Sequence, residues 1–375
     1  MQCFIIACLA LAAVEMGSGE VRDDFNSCSQ FFYKRTPPSG FERIALAVPE
    51  DANTHENPET CQSAYRQNAA AYICQKEINL PDHSFATLYD RGRRIPLYSA
   101  YILDPRPKQT SGRPQNYFNV EPQLVHRDLA AEQTRELDTR TLIREYNNEH
   151  RCLESYPEYQ RQNKIQKSQA VDKDFSGYDR GHLNPSGHHL SSAATFTFTN
   201  VAPMSKTMNN GNWNQLEQKM VQNASSCSEM YVVTGVVPGQ TWTGLKDKKG
   251  EMVRRVNVPS HIWNAFCCLN NNKKPALSRG FLASNTDTGT VQEMSVTDLE
   301  RELVLLLGLN NGRVQIFDSC NPPHQRSRSW SFNERQQKMK QRSRSRSFNE
   351  RQQKMKQRSR SRSVNERQQK TKQRL

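Results

Sequence analysis

The last fifty residues of this chain rule themselves out of any packed core. Residues 326–341, 342–357 and 358–373 are three copies of one 16-residue unit, close to RSRSRSFNERQQKMKQ, and no copy has an apolar face to stack. From 326 to 375 there are 18 Lys/Arg against 3 Glu, a net of +15. Like charge at that density, with so little apolar surface, cannot offset the entropy of ordering, so disorder is expected. A solenoid of short repeats is excluded for the same reason. Whatever folds must come from the first 325 residues.

The full 375 residues carry a formal +14, so those 325 sum to −1. Attraction to a polyanion is therefore chiefly a property of the tail. In the body it would have to rest on local clusters: Arg93-Arg94, residues 246–249 and Arg254-Arg255. At 375 residues the chain has room for one large domain or two ordinary ones.

Residues 3–14 are an apolar run too short to anchor in a bilayer, and Gly17-Ser18-Gly19 follows with small residues suited to cleavage. Residues 1–19 read as a signal peptide, and the chain is expected to be secreted, with no later segment long enough to span a membrane. Eight further cysteines fit that compartment: Cys28, Cys61, Cys74, Cys152, Cys227, Cys267, Cys268 and Cys320. They lack a C-x-x-C pair, and adjacent Cys267-Cys268 cannot easily face one ion from a strand, so disulfides are expected over zinc. Eight cysteines allow 105 pairings, and none is chosen here. Asn223-Ala224-Ser225 is an N-glycosylation sequon.

Between these ends the expected division is a domain over 20–325, with its core at about 85–320. Residues 64–75 read as a short helix among proline-broken loops. Residues 85–89 and 95–103, rich in β-branched and aromatic side chains, flank Asp90-Arg91-Gly92-Arg93 as a hairpin around a turn. A charged stretch over 127–167 reads as surface helix and loop, and 171–190 as loops around a short strand. Trp213, Leu216, Met220 and Val221 recur at helical spacing over 209–225. Strands are expected at 230–237, 262–269, 279–284 and 314–317. Ser295 with Asp298 three residues on forms a capping signature ahead of an apolar run to Leu309. Strands and helices do not alternate strictly, so the class is α+β with an antiparallel sheet and helices, not doubly wound.

One stretch of 39 residues carries the chemistry. Asp179-Arg180-Gly181-His182 is followed by Thr199-Asn200, then Asn209-Asn210-Gly211-Asn212-Trp213, then Leu216-Glu217. An imidazole, with its ordinary pKa of about 6.5, can take a proton from water near neutrality, and His182 is the candidate. Arg180 offers a planar fork to phosphate oxygens. A magnesium ion keeps most of its water and needs few protein oxygens; Asn209 is one, and Glu217, eight residues later, lies a little over two helical turns away. Taken singly each residue has a bland reading: Asn200 as a turn tie, Trp213 and Leu216 as core, His188 and His189 as loop histidines. Together they are the parts of a one-metal phosphodiesterase.

The ordered set resembles the DNA/RNA non-specific endonuclease family, the ββα-metal or His-Me finger nucleases. The resemblance rests on Tyr178-Asp179-Arg180-Gly181-His182, on Phe198-Thr199-Asn200-Val201-Ala202-Pro203 and on residues 209–217. More loosely, Pro96-Leu97-Tyr98-Ser99-Ala100-Tyr101 looks like the family's opening strand. It implies His182 as general base, Asn209 as ligand of one divalent cation, with Mg²⁺ expected, and Glu217 as the carboxylate that organises the cation's waters. It further implies Arg180 and, more loosely, Arg113 at the phosphate, with Asn200 and Asp179 supporting the site. DNA and RNA are the implied partners. Phe31-Phe32-Tyr33 and Thr87-Leu88-Tyr89-Asp90 look most like a vertebrate branch of the family. Pro203-Met204 departs from the family's Pro-Gln, and the basic tail has no counterpart. Two rivals stay open: a secreted nucleic-acid-binding or immune protein of the same fold with little chemistry, and an intracellular endonuclease whose tail directs localisation.

Overall fold

Strands that are apolar on both pleat faces have to be covered twice, and two central strands of this chain are of that kind. Strand β4 (Ile95–Ile102) is buried up to its last residue, and β10 (His261–Leu269) is buried from its second residue on. The computed structural model describes residues 20–46, 69–76, 82–106, 117–150, 164–246, 252–309 and 312–322. The expected signal peptide, Arg113, Cys61, Cys152, residues 247–249 and the repeats lie outside them.

The remaining strands are β1 (Glu20–Arg22), β2 (Ala70–Lys76), β3 (His83–Asp90), β5 (Asp179–His182), β6 (Val201–Met204), β7 (Glu229–Val237), β8 (Thr241–Lys246), β9 (Met252–Val258), β11 (Pro275–Ser284) and β12 (Gln292–Met294). Eight form one sheet in the order β1-β2-β3-β4-β7-β10-β11-β12, and every neighbouring pair runs antiparallel. The α+β class and antiparallel sheet expected from the sequence are present.

One core packs Phe25, Phe31, Phe32 and Phe41 with sheet residues Tyr98, Val233, Trp263 and Ala265. Leu299 and Leu303 of helix α3 (Val296–Leu306) join it, as do Val314, Ile316 and Phe317. A second core gathers Ile95, Val236 and Val256 with Ile143 of helix α1 (Glu136–His150), and with Leu183, Phe198, Val201 and Ala202. The elements around residues 179–204 are thus seated on a double-sided sheet. The cap of α3 is as expected: the Ser295 hydroxyl accepts from the Asp298 amide at 3.0 Å.

Three disulfides cross the described body: Cys28–Cys74, Cys227–Cys268 and Cys267–Cys320. Adjacent Cys267 and Cys268 point to opposite faces of β10, as strand alternation requires, and each joins a different partner. The closed loops span 46, 41 and 53 residues, each contributing about 4 kcal/mol by loss of unfolded-state entropy.

Three local expectations are corrected. Residues 70–76 are strand β2, not part of a helix, because Cys74 is bonded to Cys28 and the segment pairs with both β1 and β3. Residues 314–317 contribute only an isolated bridge, Gln315 to Ser39; their apolar side chains serve the core without a ladder. The β8–β9 hairpin was not expected, since its charged residues read as surface clusters.

Candidate active site

Strands β5 and β6 form a separate two-stranded ribbon, with Asp179 opposite Met204 and His182 opposite Val201. Alternation along β5 sends Arg180 and His182 to one face and Asp179 to the other. Both members of the first pair meet the half-buried ring of Phe118. The Arg180 Cζ lies 5.5 Å from its centroid and the His182 ring centroid is also 5.5 Å away. His182 packs edge-on against Phe196 at 5.3 Å, and Arg180 sits 5.7 Å from the Phe175 ring. The Arg180 guanidinium donates to the exposed carboxylate of Asp172.

Gly181 is required by close approach. A Cβ there would fall 2.7 Å from the Cβ of Met204 and 2.8 Å from its sulfur. Met204, the departure from the family's Pro-Gln, is fully buried and fills the space above this glycine.

After β6 the chain turns into a helix through Ser205, whose hydroxyl accepts from Met208 N at 3.3 Å and whose carbonyl accepts from Asn209 N at 2.9 Å. Asn209–Trp213 is a π turn, with Gly211 outside helical dihedrals, and α2 (Asn214–Ala224) follows. The expected two turns of plain helix between Asn209 and Glu217 are therefore a wide turn leading into an α-helix, a form that recurs at functional sites. The strand–strand–helix order of the ββα unit is complete.

Asp179 links the two ends of this unit. Its Oδ2 accepts from the side-chain amides of Asn209 at 3.0 Å and Asn210 at 2.5 Å. With Nδ2 of Asn209 held by a carboxylate, its Oδ1 remains as the acceptor available to a ligand. Asn209 and Glu217 are both half-buried, and burial pushes the Glu217 carboxyl up to about 8. Among the described residues no three His, Cys, Asp or Glu side chains gather as a ready metal cluster. An amide oxygen and one carboxyl suit a hard cation that keeps most of its water.

Asn200 has a different place. Its Oδ1 accepts from Ser99 Oγ at 2.9 Å and Asn184 N at 3.0 Å, while its Nδ2 donates to the carbonyls of Asn184 and Thr195, each at 3.0 Å. Fully buried and fully bonded, it ties β4 to the chain entering β6 and supports the site from behind.

Sequence reasoning missed several residues that hold this arrangement. His188, given no role, is buried between β4 and α2. Glu217 O can only accept, so Nε2 of His188 donates to it at 3.1 Å and Nδ1 accepts from Tyr101 Oη at 2.9 Å. Burial holds the ring neutral, with its pKa down at about 4. Asn285 accepts from Ser205 N at 2.8 Å and donates to Pro203 O at 3.0 Å and Pro259 O at 2.9 Å. No local pattern announces such contacts, because the partners are far apart in the chain.

The basic clusters are corrected as well. Arg255 is buried and donates at 2.9 Å through both Nε and Nη2 to Asp174. Arg94 donates to the carbonyls of Lys167 at 3.0 Å and Arg255 at 2.7 Å. Arg93 pairs with Asp90 at 2.7 Å. These three arginines bind the interior together, and only Arg254 of the four is exposed.

Comparison with known proteins shows the family. The sequence profile of the DNA/RNA non-specific endonucleases matches residues 67–304. Endonuclease domain-containing 1 protein of Homo sapiens is 30% identical over 295 residues, covering 76% of this chain and 47% of that protein. Nuclease EXOG, mitochondrial, of Danio rerio is 31% identical over 159 residues, 39% of this chain and 46% of its own length. The chain thus spans about half the length of these curated relatives. A chain from the crystal structure of the EndoG/EndoGI complex aligns over 61% of this chain and 83% of its own length, at 18% identity and a TM-score of 0.38. With the profile covering well over half of its residues, the chain belongs to the DNA/RNA non-specific endonuclease family.

Proposed function

We propose that this protein is a secreted, divalent-metal-dependent nuclease that hydrolyses phosphodiester bonds of DNA and RNA. The observation that carries the reading is the hydrogen bond from Asn209 to Asp179, which ties the helix to the strand that bears Arg180 and His182. A general base, a phosphate-binding cation and a metal-ligand oxygen then belong to one small scaffold.

His182 takes a proton from the attacking water, its ring held in place by Phe118 and Phe196. Arg180 neutralises phosphate charge; the incoming phosphate displaces Asp172 from its guanidinium. Arg113 is a second phosphate contact by family resemblance and lies outside the described residues. Asn209 would hold the cation through its amide oxygen and Glu217 through the hydration shell. A divalent ion bound there supplies Lewis-acid stabilisation of the leaving oxygen. An opposite charge beside Glu217 reverses the effect of burial, so cation binding should release a proton. The three disulfides support an oxidising compartment, and therefore export.

Plasmid cleavage by the purified protein tests this directly. Cutting should require magnesium, stop with EDTA and be lost in Asn209→Ala. Nucleic-acid binding that persists in EDTA without any cleavage in magnesium would favour the binding-protein reading instead.

A further inference from the structure

We propose that Asp287, on the loop between β11 and β12, is a positioning residue for the metal site, holding the turn that carries Asn209 through the hydroxyl of Ser205. This rests on the nuclease reading of the same site. The loop, residues 285–291, grips that turn both before and after Asn209. Before it, Asn285 Oδ1 accepts from Ser205 N at 2.8 Å and Asp287 Oδ1 accepts from Ser205 Oγ at 2.5 Å. After it, Gly289 O accepts from Asn212 Nδ2 at 2.8 Å. The loop is itself braced against the turn that enters β10. Asn285 donates through N to Ser260 O and through Nδ2 to Pro259 O, both at 2.9 Å. Gly289 N donates back to Thr286 O at 3.0 Å. A Cβ at Gly289 would run into the Ser284 carbonyl, so the loop closes this tightly only with glycine there.

Two features give Asp287 more than a share in packing. First, Gly211 lies outside helical dihedrals, so a regular helical ladder does not fix the shape of this turn. Ties from outside take over that task, and Ser205 is the central one. Its carbonyl accepts from Asn209 N at 2.9 Å and its hydroxyl accepts from Met208 N at 3.3 Å. Second, a serine hydroxyl has one proton, which rotates to suit its neighbours. With that proton committed to Asp287, the lone pairs of the oxygen are left for Met208 N. Without Asp287 the proton can turn elsewhere, and the bond that seats the residue before Asn209 loosens. Asp179 holds the Asn209 side chain itself, whereas Asp287 sets the backbone from which that side chain projects. Asp287 is exposed, so the fold should lose little without it.

The test is manganese binding by the full chain without nucleic acid, the free ion followed by its electron paramagnetic resonance signal. The ion of the site is the one lost in Asn209→Ala. Its dissociation constant should rise by about 2- to 10-fold in Asp287→Ala, the worth of one net hydrogen bond, with the urea midpoint near that of the wild type. Asp287→Asn keeps an oxygen acceptor for the Ser205 hydroxyl and should bind as the wild-type protein does. Asp287→Ala placed in a Ser205→Ala background should add nothing, because the hydroxyl it acts through is gone. An undiminished affinity in Asp287→Ala would overturn the positioning role. So would an equal loss in Asp287→Asn, which would mean attraction by charge, or a full further loss in the Ser205→Ala background. Magnesium-dependent plasmid cleavage by the wild-type protein is measured in parallel. If it is normal, those outcomes sink the role of Asp287 alone; if no ion is lost in Asn209→Ala, the metal-site reading and this proposal fall together.

Discussion

The chain contains Asp-Arg-Gly twice, and the two copies do opposite work. At 90–92 the tripeptide closes the β3–β4 hairpin. Asp90 is fully buried and accepts from Leu46 N at 3.2 Å, Arg93 N at 2.9 Å and Arg93 Nη1 at 2.7 Å. Arg91 N donates to Ala69 O and Gly92 N to Leu46 O, both at 3.0 Å. Here the polar groups are turned on the backbone. At 179–181 the tripeptide lies in β5, half-exposed at Asp179 and Arg180. Its carboxylate meets the side-chain amides of Asn209 and Asn210, its guanidinium rests among phenyl rings, and its glycine admits Met204. A short motif has no fixed meaning, and what surrounds it decides whether its charges hold the fold or face a ligand.

The residue after each tripeptide should show the largest contrast. His182→Ala should lower the rate of plasmid cleavage by about 10²–10⁴-fold, the usual contribution of a general base, with little change in urea unfolding. Arg93→Ala should do the reverse, cutting at the wild-type rate per folded molecule while unfolding more easily. Equal rates for wild type and His182→Ala would break the comparison at its strongest point.

Next in size is the buried acid of the hairpin. Asp90→Ala removes the partner of Arg93 and strands two backbone amides, so a stability loss on the order of 3–5 kcal/mol is expected from urea titration. A loss under about 1 kcal/mol would mean that water replaces the carboxylate at no cost, and that the turn is not held as described.

A third acid extends the contrast to pH. Glu121 is 3% exposed and accepts from Thr199 Oγ1 at 3.0 Å and Thr197 Oγ1 at 3.3 Å. Burial raises it from 4.5 to about 7 against the opposing pull of those hydrogen bonds. Between these values the unfolded chain releases the proton while the folded chain keeps it. Stability from this group is thus complete below about pH 4.5 and lost as pH rises through about 7, a change on the order of 3 kcal/mol. Urea midpoints at about pH 5 and pH 8 should differ less in Glu121→Gln than in the wild-type protein. An identical difference would remove the assignment.

Much of this was legible in the sequence where the signal is local. The hairpin around Asp90, the helix after Asn209, the Ser295 cap and the strands at 230–237, 262–269 and 279–284 all follow from periodicity or capping chemistry, which act within a few residues. Errors came where a distant partner decides. Ala70–Lys76 lies in a strand because Cys74 meets Cys28 and two strands flank it. The arginines at 93, 94 and 255 look like a polyanion surface until Asp90, Asp174 and a set of carbonyls appear beside them. In the candidate site, Asp179, Arg180, His182, Asn209 and Glu217 are singled out by their order and by resemblance to the family. Phe118, His188 and Asn285 could not be, since each acts through a contact across the fold.

The smallest effect is the most discriminating between the two copies. Asp179→Ala deletes a half-exposed carboxylate whose partners are side-chain amides already reached by water, so it should cost no more than about 1 kcal/mol of stability. Its consequence should fall on the ligand. Without Asp179 the Asn209 amide loses the acceptor that fixes its Nδ2, and its oxygen is no longer held in one direction. Groups that orient a metal ligand typically matter by about 10–100-fold in metal affinity, so the magnesium concentration for half-maximal cleavage should rise by that factor. Asp90→Ala should leave this concentration unchanged. If instead Asp179→Ala unfolds as readily as Asp90→Ala and keeps the wild-type magnesium dependence, both tripeptides are structural, and the oxygen of Asn209 owes its direction to something other than the strand beside it.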